Sequence, residues 1–144
     1  MSLADRFLAA VVSPDPGDLA DCYAEHVVIE MPFAVPGLVP ARLETTREEL
    51  RARFRAGTAV RRYTSLTGVR VHECGATVVL EYDVHGTMHA TGAPFVLSFA
   101  MVMTLEDGLI AHSRDYTDPI AGARALGRLP ELVGALTEGG PAGG

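Results

Sequence analysis

Two stretches of this sequence hold the side chains best able to carry a reaction: Asp115 in HSRDYTDP, and the polar row of EYDVHGTMH at residues 81–89. Strand alternation places Ala111, Ser113, Asp115 and Thr117 on one face and Ile110, His112, Arg114 and Tyr116 on the other. Small neighbours leave room for a ligand beside Asp115. A carboxyl among apolar walls has its charged form destabilised, which raises its pKa toward neutrality and makes it a usable general acid or base. The competing reading is an aspartate paired with an arginine at a sheet edge. In the second stretch Glu81, Asp83, His85, Thr87 and His89 share one face. Turned inward, Asp83 or His85 would reach Asp115 across a cavity. The two groups would then titrate as a pair, one protonated while the other acts as base. Turned outward, the row is solvated surface. His85 and His89 have the i, i+4 spacing of a metal pair on a helix, but on a strand they stand ~13 Å apart, so no metal site is expected.

Missing residue types narrow the chemistry further. The chain has no Lys, Asn, Gln or Trp, and all twelve of its cations are Arg. Schiff-base chemistry, pyridoxal phosphate attachment and a lysine-bearing phosphate loop are therefore excluded, and no cofactor is expected. The formal charge of −6 argues against a nucleic-acid partner, whose phosphates need basic surfaces. Half of the arginines (Arg47, Arg51, Arg53, Arg55, Arg61 and Arg62) crowd into sixteen residues, where helical phasing with Glu48 and Glu49 predicts a solvated face. Cys22 and Cys74 lack any paired spacing and are expected to be buried free thiols. The start of the chain lacks the pattern of a signal peptide, and no apolar run is long enough for a membrane, so a cytoplasmic protein with no membrane partner is expected.

The elements that must position these residues are legible from periodicity. Residues 3–12 have helical spacing and stop at SPDPGD. A second short helix is predicted over 19–24 and a strand over 27–33. AVPGLVPARLE reads as a loop, and Thr46 with Glu49 forms a capping-box pattern that opens a helix to about Phe54. From residue 59 the period becomes two. Strands are predicted at 60–73, 76–90, 94–106 and 109–117, joined by turns at Cys74-Gly75, Thr91-Gly92-Ala93 and Glu106-Asp107-Gly108, then a brief helix at 120–126. Short links require an antiparallel meander. The expectation is one α+β domain over residues 1–136, a cone of curved sheet packed on N-terminal helices, with a disordered tail at 137–144. Phe95–Leu105 is apolar on both faces, so its outer side needs cover, for which a second subunit is expected. Tyr23, Phe33, Tyr63, Phe95, Phe99 and Met101 are the candidate ligand-binding residues; together with Met103 they serve equally well as core.

The order of elements, with YAEHVVIEMPF at 23–33, PG at 36–37 and EDGLIAHSRDYTDP at 106–119, resembles the nuclear transport factor 2-like superfamily. Within it the chain is most similar to the SnoaL-like polyketide cyclase and limonene-epoxide hydrolase branch, with phenazine-biosynthesis and ketosteroid-isomerase relatives. The resemblance spans residues 3–127 and implies a cone-shaped cavity and a homodimer packed through the sheet. The ketosteroid-isomerase tyrosine and two acids would fall on Phe7, Met31 and Ala100, so that pattern is missing. In the epoxide-hydrolase pattern Asp115 matches the final-strand acid and Asp83 falls near its partner, while the arginine between them lands on Glu81 or Tyr82. The histidine of the phenazine relatives falls near Ser65 and Thr67. Two functions follow from the resemblance. One is a cofactor-independent acid–base enzyme acting on a small hydrophobic polyketide- or terpenoid-type metabolite by cyclisation, isomerisation or epoxide opening, with Asp115 and Asp83 or His85 as its catalytic groups. The other is a binding or scaffolding domain without chemistry.

Overall fold

The computed structural model describes residues 1–138. Helix α1 (Leu3–Val11) opens on a capping box: Ser2 accepts from the Asp5 amide and Asp5 reaches back to the Ser2 amide. It buries Leu3, Ala4, Phe7, Ala10 and Val11 along one stripe. The turn after it leads into a 3-10 helix, Pro16–Cys22, and then directly into β1 (Tyr23–Glu30). The helix expected over 19–24 thus starts and ends earlier and is a 3-10 helix, because Tyr23 already belongs to the sheet. The Pro- and Gly-rich loop ends sooner than its composition suggests. Its last residues join β2 (Arg42–Thr46), which pairs antiparallel with β1. Helix α2 (Arg47–Gly57) starts at the expected capping box, with Thr46 and Glu49 exchanging bonds of 3.2 Å.

The meander is present as read: β3 (Arg61–Cys74), β4 (Thr77–Met88), β5 (Pro94–Glu106) and β6 (Leu109–Thr117) pair antiparallel in sequence order. Asp107 and Gly108 both have positive φ, 51° and 76°, as the two-residue turn between β5 and β6 demands. β1 inserts parallel to β6, giving the order β2-β1-β6-β5-β4-β3 in one curved, unclosed sheet. Helices α3 (Pro119–Ala125) and α4 (Leu129–Glu138) follow; α4 was not anticipated, and it buries Leu132. Thr137 and Glu138, assigned to a disordered tail from the sequence, close α4, and residues 139–144 lie outside the described residues.

The core lies between α1, α2 and one face of the sheet. Phe7, Leu80, Val84, Met103 and Ile110 are its largest fully buried side chains. On β4 the alternation is strict: Val78, Leu80, Tyr82, Val84 and Gly86 are buried, and the residues between them are not. Ile110 departs from the simple alternation. A bulge after Thr104 pairs Ile110 with Leu105 while His112 pairs with Thr104, so Ile110 joins the Ser113 side of β6 instead of the His112 side. Cys22 is buried as expected, whereas Cys74 is exposed, because it ends β3 beside the Gly75 turn.

Candidate active site

The helices do not fill the concave side of the sheet completely. A cavity of about 570 Å³ remains, walled by α1, the 3-10 helix, α2 and the inner faces of β3 to β6. Its size is that of a pocket for a small organic ligand. Among the described residues Asp115 is the one acid lining it. Register explains the placement: Met101 opposes Asp115 and Met103 opposes Ser113, and these methionines are buried on the helix side. Ser113 is fully buried, and its hydroxyl donates to one Asp115 carboxylate oxygen.

Burial pushes the Asp115 pKa up from its usual value near 3.8 to about 6, against the opposing pull of the Ser113 hydroxyl and the charge of His112. Two phenols share this environment. Tyr23 is held well above its ordinary pKa, first by burial and then by the Asp115 charge. Tyr82 is raised by burial, with smaller contributions from Tyr63 and Asp115. Both are therefore neutral hydrogen-bond donors near pH 7. Among the described residues the Tyr82 hydroxyl meets only a weak acceptor, the Met101 sulfur at 3.7 Å. Phe7 fixes the two phenols from α1, its ring centroid 6.4 Å from each, and Phe54 of α2 contacts Tyr23 at 6.1 Å. Phe99 stacks on Tyr82 at 5.3 Å.

The expected meeting of Asp115 with Asp83 or His85 does not occur. Both lie on the opposite face of β4, because Tyr82 and Val84, which flank Asp83, point to the core. Asp83 accepts a 2.6 Å bond from Ser98 and lines an open depression on that outer face with Glu81 and Tyr116. His85 Nε2 is 2.8 Å from the Thr67 hydroxyl. His89 leaves the row altogether: β4 has ended, and the side chain lines the cavity. Of the candidate ligand-binding residues, Tyr23, Tyr63, Phe99 and Met101 line the cavity. Phe33 does not; it is 61% exposed and packs edge-on against Tyr116, 5.4 Å away on the outer face. Phe95 also falls outside the lining and supports Tyr63 from behind at 6.1 Å.

Sequence reasoning missed Tyr82 and the arginines. The signal for Tyr82 was available, since Val78, Leu80, Tyr82 and Val84 form an apolar row whose inward side follows from its composition. Arg53 and Arg62 are exposed, as a solvated face predicts, but Arg53 and the half-buried Arg61 also line the cavity where the chain turns from α2 into β3. No spacing in the sequence marks that turn as a rim. Among the described residues no group of three His, Cys, Asp or Glu stands close enough to hold a metal, and none of the helices is long and apolar enough to cross a membrane.

Known proteins resemble this chain in both sequence and fold. The family model of the SnoaL-like domain matches residues 4–113, stopping two positions before Asp115. The protein YesE of Bacillus subtilis, itself uncharacterised, is 27% identical over 124 residues, covering 85% of this chain and 83% of its own length. A Bacillus subtilis candidate isomerase superposes with a TM-score of 0.76 at 26% identity, over 88% of this chain and 91% of its own. At 18% identity, an epoxide hydrolase of the limonene-epoxide hydrolase type from Mycobacterium tuberculosis shares the fold, with a TM-score of 0.64 over 94% of this chain and 92% of its own.

Proposed function

The chain belongs to the SnoaL-like domain family, and from that premise we propose that it is a cofactor-independent acid–base enzyme acting on a small hydrophobic metabolite of polyketide or terpenoid type. The observation that carries the proposal is a buried carboxyl, Asp115, with a pKa near 6, facing a ligand-sized cavity between two neutral phenols. At pH 7 Asp115 is mostly ionised and able to accept a proton. It takes that proton from a carbon next to a ketone. Tyr23 or Tyr82 donates to the ketone oxygen as negative charge develops there, as preorganised donors do in other enolate-forming sites. The proton then returns at another carbon for isomerisation, or the enolate carbon attacks a second carbonyl for an aldol-type cyclisation. Epoxide opening is less well supported, because activating water and protonating the epoxide oxygen calls for a second acid that the cavity lining does not supply.

The test is solvent deuterium exchange into a panel of apolar 1,3-diketones, followed by NMR across pH. The exchange rate should rise with pH through an apparent pKa near 6 and then level off, since the base must be ionised. A flat profile, or the same rates in Asp115→Asn, would leave the second reading, a ligand-binding domain without chemistry. That reading draws on the same lack of a second acid in the cavity. We also propose a homodimer formed through the outer face of the sheet, where Val96 is half exposed. Light scattering tests it, and a monomer at high micromolar concentration would refute it.

A further inference from the structure

The arginines of α2 and early β3 divide into two sets. Arg47 donates to the Tyr23 carbonyl at 2.8 Å. Arg51 pairs with Asp21 at 2.7 Å and Glu48 at 3.2 Å, and Arg55 pairs with Asp15 at 2.9 Å. These contacts tie α2 to β1 and the preceding 3-10 segment. Arg53 and Arg61 make no ion pair among the described residues, and both line the cavity, with His89; Arg62 is exposed and opposes Thr87 in the β3–β4 register, so its side chain stands on the outer face. Glu49 feels the charge of Arg53, but its carboxylate is engaged by Thr45 and the Thr46 amide. Arg61 commits its Nε to the Tyr63 hydroxyl at 2.9 Å and lies across that ring at 5.2 Å.

The plain explanation would be that these cations neutralise Asp115. They do not: the groups acting on Asp115 are burial, Ser113 and His112, and no arginine is among them. Arg53 and Arg61 thus line the same cavity as Asp115 without pairing with it. Two guanidinium groups without an ion pair, on a chain of net charge −6, are a local field that an anion entering from solvent would match. Guanidinium forks suit the planar or tetrahedral oxygens of carboxylate and phosphate.

We propose that the ligand is an amphipathic anion, with an apolar body against Phe54, Tyr82 and Phe99 and an oxyanion headgroup, carboxylate or phosphate, held at the mouth by Arg53 and Arg61. The inference rests on the reading of this cavity as the ligand site and adds the substrate's charge class to it. Anchoring at the mouth orients the apolar end toward Asp115, so binding energy far from the reacting carbon contributes to positioning.

The experiment uses three fluorescent probes of one shape: 2-naphthylacetate, 2-naphthyl phosphate and the neutral 2-naphthylacetamide. At low salt the anions should bind about tenfold more tightly than the amide, and the preference should shrink at about 0.5 M salt. Arg53→Met with Arg61→Met should weaken the anions severalfold and the amide far less. The stronger of the two anions identifies the headgroup as carboxylate or phosphate. Equal binding of anions and amide, absence of anion binding, or anion affinity that survives the double substitution overturns the proposal. Asp115→Asn separates this outcome from the catalytic reading: it should abolish deuterium exchange while keeping the anion preference.

Discussion

Asp83 on β4 and Asp115 on β6 are the same side chain with the same kind of neighbour, a serine hydroxyl donating to one carboxylate oxygen. They stand on opposite faces of one sheet. Asp83 looks out over an open depression beside Glu81 and Tyr116. Asp115 looks in, among phenols and methionines, and its pKa rises to about 6. What raises the Asp115 pKa is loss of solvent, because the charged form loses hydration that one serine hydroxyl cannot replace. The rest of the outer face tells the same story. His112 and Arg114 both reach Glu30, at 3.0 and 3.7 Å, in pairs that are more than a third exposed.

The sharpest way to break this comparison is to neutralise each aspartate in turn. Asp115→Asn should lower the exchange rate by about 10³-fold, the usual loss when a general base is removed. Asp83→Asn should leave it within about twofold, and equal losses would mean that burial does not separate the two acids.

Stability should move in the other direction. The Asp115 pKa is higher in the folded protein than in the unfolded chain, so the folded state favours its protonated form. The stability this group contributes is complete below about pH 3.8 and is lost as pH rises through about 6. Asp115→Asn escapes that loss. At pH 7 it should be more stable than the wild type by about 3 kcal/mol, a gap that has nearly closed by pH 4 in urea titrations of the two proteins. Working with the difference cancels carboxyls such as Asp15 and Glu49, whose lowered pKa values act in the opposite sense. A gap that does not change with pH would contradict the buried-acid account.

Gly86 offers a comparable test from the inner face. A Cβ there would come within 2.5 Å of the Arg62 carbonyl and 2.6 Å of the Phe95 ring. Gly86→Ala should cost about 1–3 kcal/mol through overpacking, and it should perturb Tyr63, which Phe95 supports. The smallest effect belongs to the outer face: Glu30→Gln should cost no more than about 1 kcal/mol, as exposed ion pairs do. A larger loss by thermal melting would show that the outer face is covered in solution.

Much of the architecture was legible because its signals are local. The Thr46–Glu49 cap, the period of two from residue 61 and the Asp107-Gly108 turn each depend on residues within a few positions of one another. What escaped were elements whose stability comes from distant partners. β2 is five residues long and exists by pairing with β1, and α4 rests on the burial of Leu132. The bulge that turns Ile110 inward arises from register against β5. The candidate site divides in the same way. That Asp115 shares a face with Ser113, and that Glu81, Asp83 and His85 share another, is a property of the pleat and needs only the sequence. Which of those faces the helices cover is settled by long-range packing. Burial, and with it the raised pKa of Asp115 and the placing of Arg53 and Arg61 in the lining of its cavity, belongs to the tertiary structure alone, because desolvation depends on everything that surrounds a group and not on its neighbours in the chain.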